Sequence, residues 1–405
     1  MTSTALLDAA GQGLTVLAVV LLLPTGVLLG QVLAALLPAR CHVAPAVPTG
    51  PPAQLAVLVP AHDEAAGIAT TLGAIRAQLA SHDRLLVVAD NCSDDTARVA
   101  AAAGAEVIER VDAVRRGKGY ALDFGIRHLE AAPPAIVVIV DADCELHAGC
   151  LEQLARLCAQ EARPVQALNL MRALPGAGLN TRVAEFAWVL KNQVRPLGYR
   201  RLGLPCQLMG TGMAFPWQLI RTAPLASGHI VEDLHLGLDL AAAGAPPMFC
   251  PEALVTSWFP SHAQGIADQR ARWEQGHVGA ILHEGPRALW RSLTRRRPAL
   301  AAMALDLCVP PLTILVLLLL GQAVVDAIFS ASGGARTPLW LALAALAMVM
   351  LAIAVAWVRF GRHILSLGEL FGAALYVLGK LPLYARFFRR GKREWVRARR
   401  DERRE

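Results

Sequence analysis

The sequence has no Lys or Arg ahead of Arg40 and no Cys-x-x-Cys pair among its eight cysteines. Each absence excludes something. A secretory signal needs a basic stretch before its apolar run, so the first apolar segment is expected to remain as an anchor. Scattered thiols with no His at ligand spacing exclude a zinc site and a disulfide framework, and suit reduced cysteines in a cytosolic domain. Arg115-Arg116-Gly117-Lys118-Gly119 lacks the spacer and the Ser or Thr of a Walker sequence, which excludes a P-loop ATPase.

What is abundant is apolar sequence. The 405 residues are 55% hydrophobic with a mean hydropathy of +0.43, above the usual range of a soluble domain. Leu14 to Leu37 is uncharged over 24 residues, enough to cross a hydrocarbon core about 30 Å thick. Lys and Arg gather after it, which predicts an outside N-terminus and a cytosolic middle domain. Further spans are expected near Leu307 to Val325, with Asp306 and Asp326 marking its ends, and near Leu339 to Val358. Ser366, Glu369, Gly372, Tyr376 and Lys380 recur at helical spacing beside apolar residues, the pattern of a helix lying in the membrane interface.

These boundaries divide the chain into an anchor (1–38), a Pro-rich linker (39–53), a cytosolic domain (54–290), two membrane helices (291–362), an interfacial helix (363–385) and a basic tail (386–405). The net charge is +7, and ten of the basic residues lie in that tail. Its place after an apolar segment suits anionic lipid headgroups rather than nucleic acid; solubilising the C-terminus is the other reading.

In the middle domain, β-branched runs alternate with helical patterns. Leu55 to Pro60, Leu85 to Ala89, Glu106 to Ile108 and Ile136 to Val140 are predicted strands of a mostly parallel, Rossmann-like α/β sheet. In such sheets ligands sit at the strands' carboxyl ends, and three of those ends carry carboxylates. Asp141-Ala142-Asp143 offers two acidic groups whose mutual repulsion a bound Mg²⁺ or Mn²⁺ would relieve; a solvated strand end is the alternative. Asp90 ends its strand where it can accept from a base N–H, while Ser93 or Asp94 caps the next helix. Lys118, flanked by glycines, reaches either a diphosphate or only solvent.

Glu232-Asp233 opens a predicted helix, His235 to Ala243, so the pair either complements the helix dipole or supplies a base. Gly210-Thr211-Gly212 upstream gives a backbone that a ligand can approach closely. Gln269-Arg270-Ala271-Arg272-Trp273 has helical spacing that puts Gln269, Arg272 and Trp273 on one face. Arg can fork onto phosphate oxygens and the indole can lie against a sugar, although an interfacial Arg-Trp belt has the same composition.

Asp141-Ala142-Asp143, Glu232-Asp233 and Gln269-x-x-Arg272-Trp273, in this order within residues 54 to 285, resemble the membrane-bound family 2 glycosyltransferases. That group contains the cellulose, hyaluronan and chitin-oligosaccharide synthases and the ceramide glucosyltransferases. The resemblance implies a GT-A fold, a UDP-sugar donor, a divalent cation (Mg²⁺ or Mn²⁺) and inversion at the sugar. It places Pro60, Glu64, Asp90 and Lys118 at the nucleotide, Asp143 on the metal, and Asp141 on the metal and nearer the nucleotide. It assigns Asp233 as the base with Glu232 beside it. Gly210, Thr211, Gly212, Gln269, Arg270, Arg272 and Trp273 fall to the acceptor and diphosphate. The chain departs from the pattern at Val231, where many members have Thr, and shows no Phe-x-Val-Thr segment after Trp273. Three spans are also fewer than polymer-secreting synthases use.

The expectation is a sugar transferase of exopolysaccharide or glycolipid assembly, working at the cytoplasmic face of the plasma membrane on a lipid-linked or saccharide acceptor. A processive or short-chain polysaccharide synthase is the alternative within the class, and a catalytically silent nucleotide-sugar sensor the alternative outside it.

Overall fold

The structure is a computed structural model that describes residues 3–38, 54–229, 231–260 and 263–372, with only the backbone of 3–4 and 263–272. The chain begins with helix α1 (Ser3–Ala34) and enters the sheet at β1 (Leu55–Ala61). It continues α2 (Ile68–Arg76), β2 (Arg84–Asp90), α3 (Thr96–Ala102), β3 (Glu106–Arg110), α4 (Lys118–Leu129) and β4 (Ile136–Ile139). Then come β5 (Glu145–Leu146), α5 (Cys150–Glu161), β6 (Val165–Arg172), α6 (Leu179–Val189), α7 (Arg195–Leu202), β7 (Met213–Pro216), α8 (Trp217–Ile220), α9 (Glu232–Ala243) and β8 (Met248–Trp258). Four helices follow: α10 (Ala263–Thr294), α11 (Pro298–Leu307), α12 (Leu312–Ala331) and α13 (Thr337–Ala356).

The eight strands lie in the order β3-β2-β1-β4-β7-β6-β8-β5. β1 to β4 run parallel, the apolar β1, β2 and β4 being covered on both faces, and β7 enters antiparallel to both β4 and β6. Side chains alternate between two cores. Val57, Val59, Val87 and Val138 meet α2 and α5 on one face, while Leu58, Leu86, Val88 and Val137 meet α4 and α9 on the other. Each such fully buried side chain stabilises the fold by roughly 1.5–3 kcal/mol. The chain moves outward from β1 to β2 and β3, then returns to β4 on the other side of β1. That reversal opens a crevice beyond the carboxyl ends of β1 and β4.

Three helices are long and apolar enough to cross a membrane: Ala5–Ala34, Leu312–Ala331 and Thr337–Gly361. The first starts earlier than its uncharged run, because the single Asp8 does not interrupt a helix. The expected limits of the second span are corrected. Pro310 and Pro311 break the apolar run, so Asp306 belongs to the separate short helix α11 and the span starts at Leu312. Asp326 lies inside α12, fully buried, accepting from Gln322 Nε2 at 2.9 Å.

Buried polar contacts fasten α1 to the sheet domain. Arg195 of α7 donates to the Asp306 carboxylate at 2.7 Å and to Gln31 Oε1 at 3.1 Å, and Gln31 donates to Asp306 at 2.6 Å. A Cβ on Gly198 would stand 2.0 Å from the Gln31 carbonyl, so only glycine lets α7 approach α1 this closely. Ser366 and Glu369 form a reciprocal capping pair at the start of the expected interfacial helix, and Glu369 also pairs with Arg182 of α6. The linker (39–53), the interfacial helix beyond Gly372 and the basic tail (386–405) lie outside the described residues.

Candidate active site

A cavity of about 590 Å³ occupies the crevice. Of the residues singled out from sequence, Pro60, Glu64, Asp90, Lys118, Asp141, Asp143, Gly210, Thr211, Glu232, Asp233 and Trp273 line it. Gly212 does not. Its Cβ would stand 2.7 Å from that of Ala167, so this glycine serves strand packing at φ 63°. Gln269, Arg270 and Arg272 sit on α10, and their side chains are outside the described residues.

The loops after β1 and β2 are stitched together. His62 Nδ1 donates to the Asp90 carbonyl at 2.7 Å, the Asp63 carboxylate accepts from the Ser93 N–H at 2.6 Å, and the Glu64 N–H donates to Thr96 Oγ1 at 2.7 Å. Asp63 and Asn91 adopt left-handed φ of 53° and 52°, which these short polar side chains tolerate better than most. Asp94 accepts from the Thr96 N–H at 3.0 Å in a local turn, but the N-cap of α3 is Asp95, which makes no side-chain cap bond, so the expected capping by Ser93 or Asp94 is corrected. One oxygen of Asp90 is held by Arg110 at 2.6 Å and by Asn91 at 3.0 Å. Sequence reasoning missed Arg110, which lies a strand away.

Lys118, the first residue of α4, links three parts of the site. Its ammonium donates to Asp141 Oδ1 and, at 2.7 Å, to the Gly210 carbonyl, and it lies 4.0 Å from Glu232 Oε1. Burial alone would lower its pKa, but Asp141, Glu232 and Asp233 together hold it raised. The ammonium is therefore a constituent of the site rather than a solvated turn. Gly210 (φ 87°) passes close beneath: a Cβ there would stand 3.5 Å from Asp233 Oδ2 and 3.6 Å from Lys118 Nζ. Thr211 Oγ1 accepts from the Asp141 N–H at 3.0 Å, and the fully buried Gln166 braces both ends of this loop through the Met209 N–H and the Thr211 carbonyl.

Glu232 and Asp233 start α9, where its N-terminal partial charge favours them. Burial is the largest influence on each and raises both pKa values; Asp233 raises Glu232 further, and Lys118 opposes the rise in both. The pair is thus poised to take a proton well above the ordinary carboxylate range.

Asp141, Asp143 and Cys144 bring one donor atom each within 4.8 Å of one another. Burial holds the Cys144 thiol far above its usual pKa, and it donates to Asp143 instead. The remaining donors are carboxylate oxygens, which suit a hard divalent cation such as Mg²⁺ or Mn²⁺.

The opposite wall was not anticipated. Trp188, Lys191, Asn192 and Arg195 line the cavity at spacings of three, four and seven, the signature of one helical face within an apolar segment. A π-helical turn at Leu190–Val194 separates α6 from α7, because Pro196 has no N–H to return to the Asn192 carbonyl. Trp188 packs on Trp273 with ring centroids 4.9 Å apart, and donates its indole N–H to the Asn169 carbonyl at 3.1 Å. Trp273 is thereby part of the cavity wall.

The model of the Glycosyltransferase like family 2 matches residues 51–276, more than half of the chain. The chain belongs to that family. An uncharacterized glycosyltransferase of Mycobacterium bovis is 31% identical to this transferase over 172 residues, covering 37% of this chain and 76% of that protein. A Mycobacterium tuberculosis glycosyltransferase, also uncharacterized, matches to the same extent. A mannosyltransferase from Pyrobaculum calidifontis, solved in complex with GDP-Man and Mn²⁺, has a TM-score of 0.54 at 20% identity over 85% of this chain and 98% of its own. That likeness is one of fold, and the expected GT-A architecture is the one present.

Proposed function

We propose that this glycosyltransferase moves a sugar from a UDP-sugar to the hydroxyl of a lipid-attached or saccharide acceptor at the cytoplasmic membrane face, inverting the sugar centre. The observation that carries the reading is the convergence of Lys118, Asp141, Gly210 and the Glu232–Asp233 pair around one crevice. In this reading Asp90, the last residue of β2, and Glu64, in the loop after β1, hold the nucleoside. Asp141 and Asp143 would hold Mg²⁺ or Mn²⁺, which supplies positive charge to a diphosphate.

Asp233 accepts the proton of the acceptor hydroxyl as that oxygen forms its bond to the anomeric carbon. The bond from that carbon to the diphosphate breaks, and UDP leaves with the electron pair. Lys118 keeps Asp141 and Glu232 from repelling the incoming diphosphate. Gly210 leaves the acceptor a close approach to Asp233, and Trp273 with Trp188 offers an apolar platform. In this reading Gln269, Arg270 and Arg272 of α10 belong to the diphosphate and the acceptor.

Three membrane-length helices support work at a bilayer, and the Lys and Arg after the first of them support the cytoplasmic side. The test is a nucleotide-release screen of purified full-length protein with membrane lipids and Mn²⁺, using UDP-Glc, UDP-GlcNAc, UDP-Gal, UDP-GlcA and GDP-Man. Acceptor-dependent UDP release from one UDP-sugar is expected. Release only from GDP-Man would overturn the choice of nucleotide, and release from none would overturn the reading.

A further inference from the structure

A second cavity of about 110 Å³ opens beside the first, between Leu28 of α1, Ala184 and Ala187 of α6, Phe259, and the Val309–Pro310 entry to α12. Its walls are mostly apolar, and α1 and α12 are both of membrane length. A saccharide placed there would forfeit hydrogen bonds, whereas a hydrocarbon chain would not. Five residues line both cavities: Trp188, Lys191, Arg195, Trp273 and His277.

The junction is therefore aromatic and cationic. Arg195 is committed to Gln31 and Asp306. His277 is neutral, because burial, with Lys191 and Arg195 nearby, lowers its pKa to about 3. Lys191 differs from both. It is enclosed by protein yet exposed to the cavity, and among the described residues its ammonium makes one contact, over the Trp188 ring at 5.5 Å. Enclosure lowers its pKa while the charge of Asp233 opposes the fall, and Lys191 and Asp233 line the same main cavity.

We propose, resting on the transferase reading above, that the acceptor is a lipid in which a phosphate joins an apolar chain to a hydroxyl-bearing head. The chain lies in the side cavity, the phosphate pairs with Lys191, and the head extends into the main cavity toward Asp233. Lys191 also offsets the repulsion between that phosphate and Asp233.

The test measures binding to purified full-length protein in nonionic micelles with three probes: dodecyl phosphate, dodecanol and methyl phosphate. Chain and charge together should make dodecyl phosphate bind at least about tenfold more tightly than either partial probe, the equivalent of one charge-assisted contact. Lys191→Met should abolish its advantage over dodecanol, and Ala187→Phe, which fills the side cavity, its advantage over methyl phosphate. UDP binding in the same samples reports a folded site. Equal binding of the three probes, or an unchanged phosphate preference in Lys191→Met, overturns the proposal while leaving the transferase reading intact. Failure of wild-type protein to bind UDP strikes that reading instead.

Discussion

The loops around Asp90 and Asp141 are braced by hydrogen bonds, whereas the wall that carries Trp188 and Lys191 is braced by apolar packing around one buried polar knot, Arg195 with Asp306 and Gln31. In the first half nearly every polar group has an assigned partner: His62 to the Asp90 carbonyl, Asp63 to Ser93, Lys118 to Asp141 and Gly210. In the second half Phe186, Val189, Leu190 and Val194 share one core with Leu28 and Val32 of α1 and Val349 of α13. The strand-end half is a preorganised polar cradle held within the sheet domain. The helical half depends for its shape on packing against α1 and α13, both long and apolar enough to cross a membrane.

The largest expected effect breaks the polar cradle alone. Asp141→Asn with Asp143→Asn should lower kcat/KM by about 10³-fold, because metal charge stabilisation is worth several kcal/mol. Manganese titration of UDP affinity checks it, and the melting temperature should fall as well, because Asp141 is the carboxylate that pairs with Lys118. Arg195→Met tests the other half: it leaves Asp306 buried without its cation and should cost about 3–5 kcal/mol of stability. Adding Asp306→Leu should recover much of that loss, since an apolar pair of similar volume replaces a buried ion pair at little cost. Thermal unfolding in detergent reads both.

A pH profile separates the halves more finely. Burial raises the Glu232–Asp233 pair, so the base form needed for turnover is lost as pH falls, at a pH above the ordinary carboxylate value of about 4. Stability runs the other way. A carboxyl whose folded pKa is raised contributes stability below its unfolded pKa, and that contribution is lost as pH rises through the folded pKa. Glu232→Gln is neutral at every pH, so it should raise the melting temperature by several degrees at neutral pH and narrow its dependence on pH. The smallest effect belongs to Gly210→Ala, where the left-handed φ costs about 1–2 kcal/mol and the methyl meets Asp233 and Lys118. Turnover should fall about tenfold, with nucleotide affinity nearly unchanged.

The cradle was legible in the sequence because strand ends and carboxylates coincide there. Val-Val-Ile-Val before Asp141 and Leu-Val-Val-Ala before Asp90 place those carboxylates by local pattern alone. The helical wall was hidden for two reasons. Trp188, Lys191 and Arg195 sit in a segment that reads as an ordinary amphipathic helix, and the turn that orients them comes from Pro196, whose effect is on the backbone rather than on hydropathy. Arg110 escaped because its partner Asp90 lies on a neighbouring strand, a pairing that only the register reveals. The second span was misplaced at Asp306 for a like reason: hydropathy runs on through Pro310 and Pro311, but the helix cannot.

The most direct test of the central claim is to measure UDP-sugar binding and acceptor-dependent UDP release side by side on Asp233→Asn. Binding should stay within about twofold of wild type while kcat falls by about 10²–10⁴-fold, the contribution of a positioned general base. Wild-type turnover in Asp233→Asn would contradict the account.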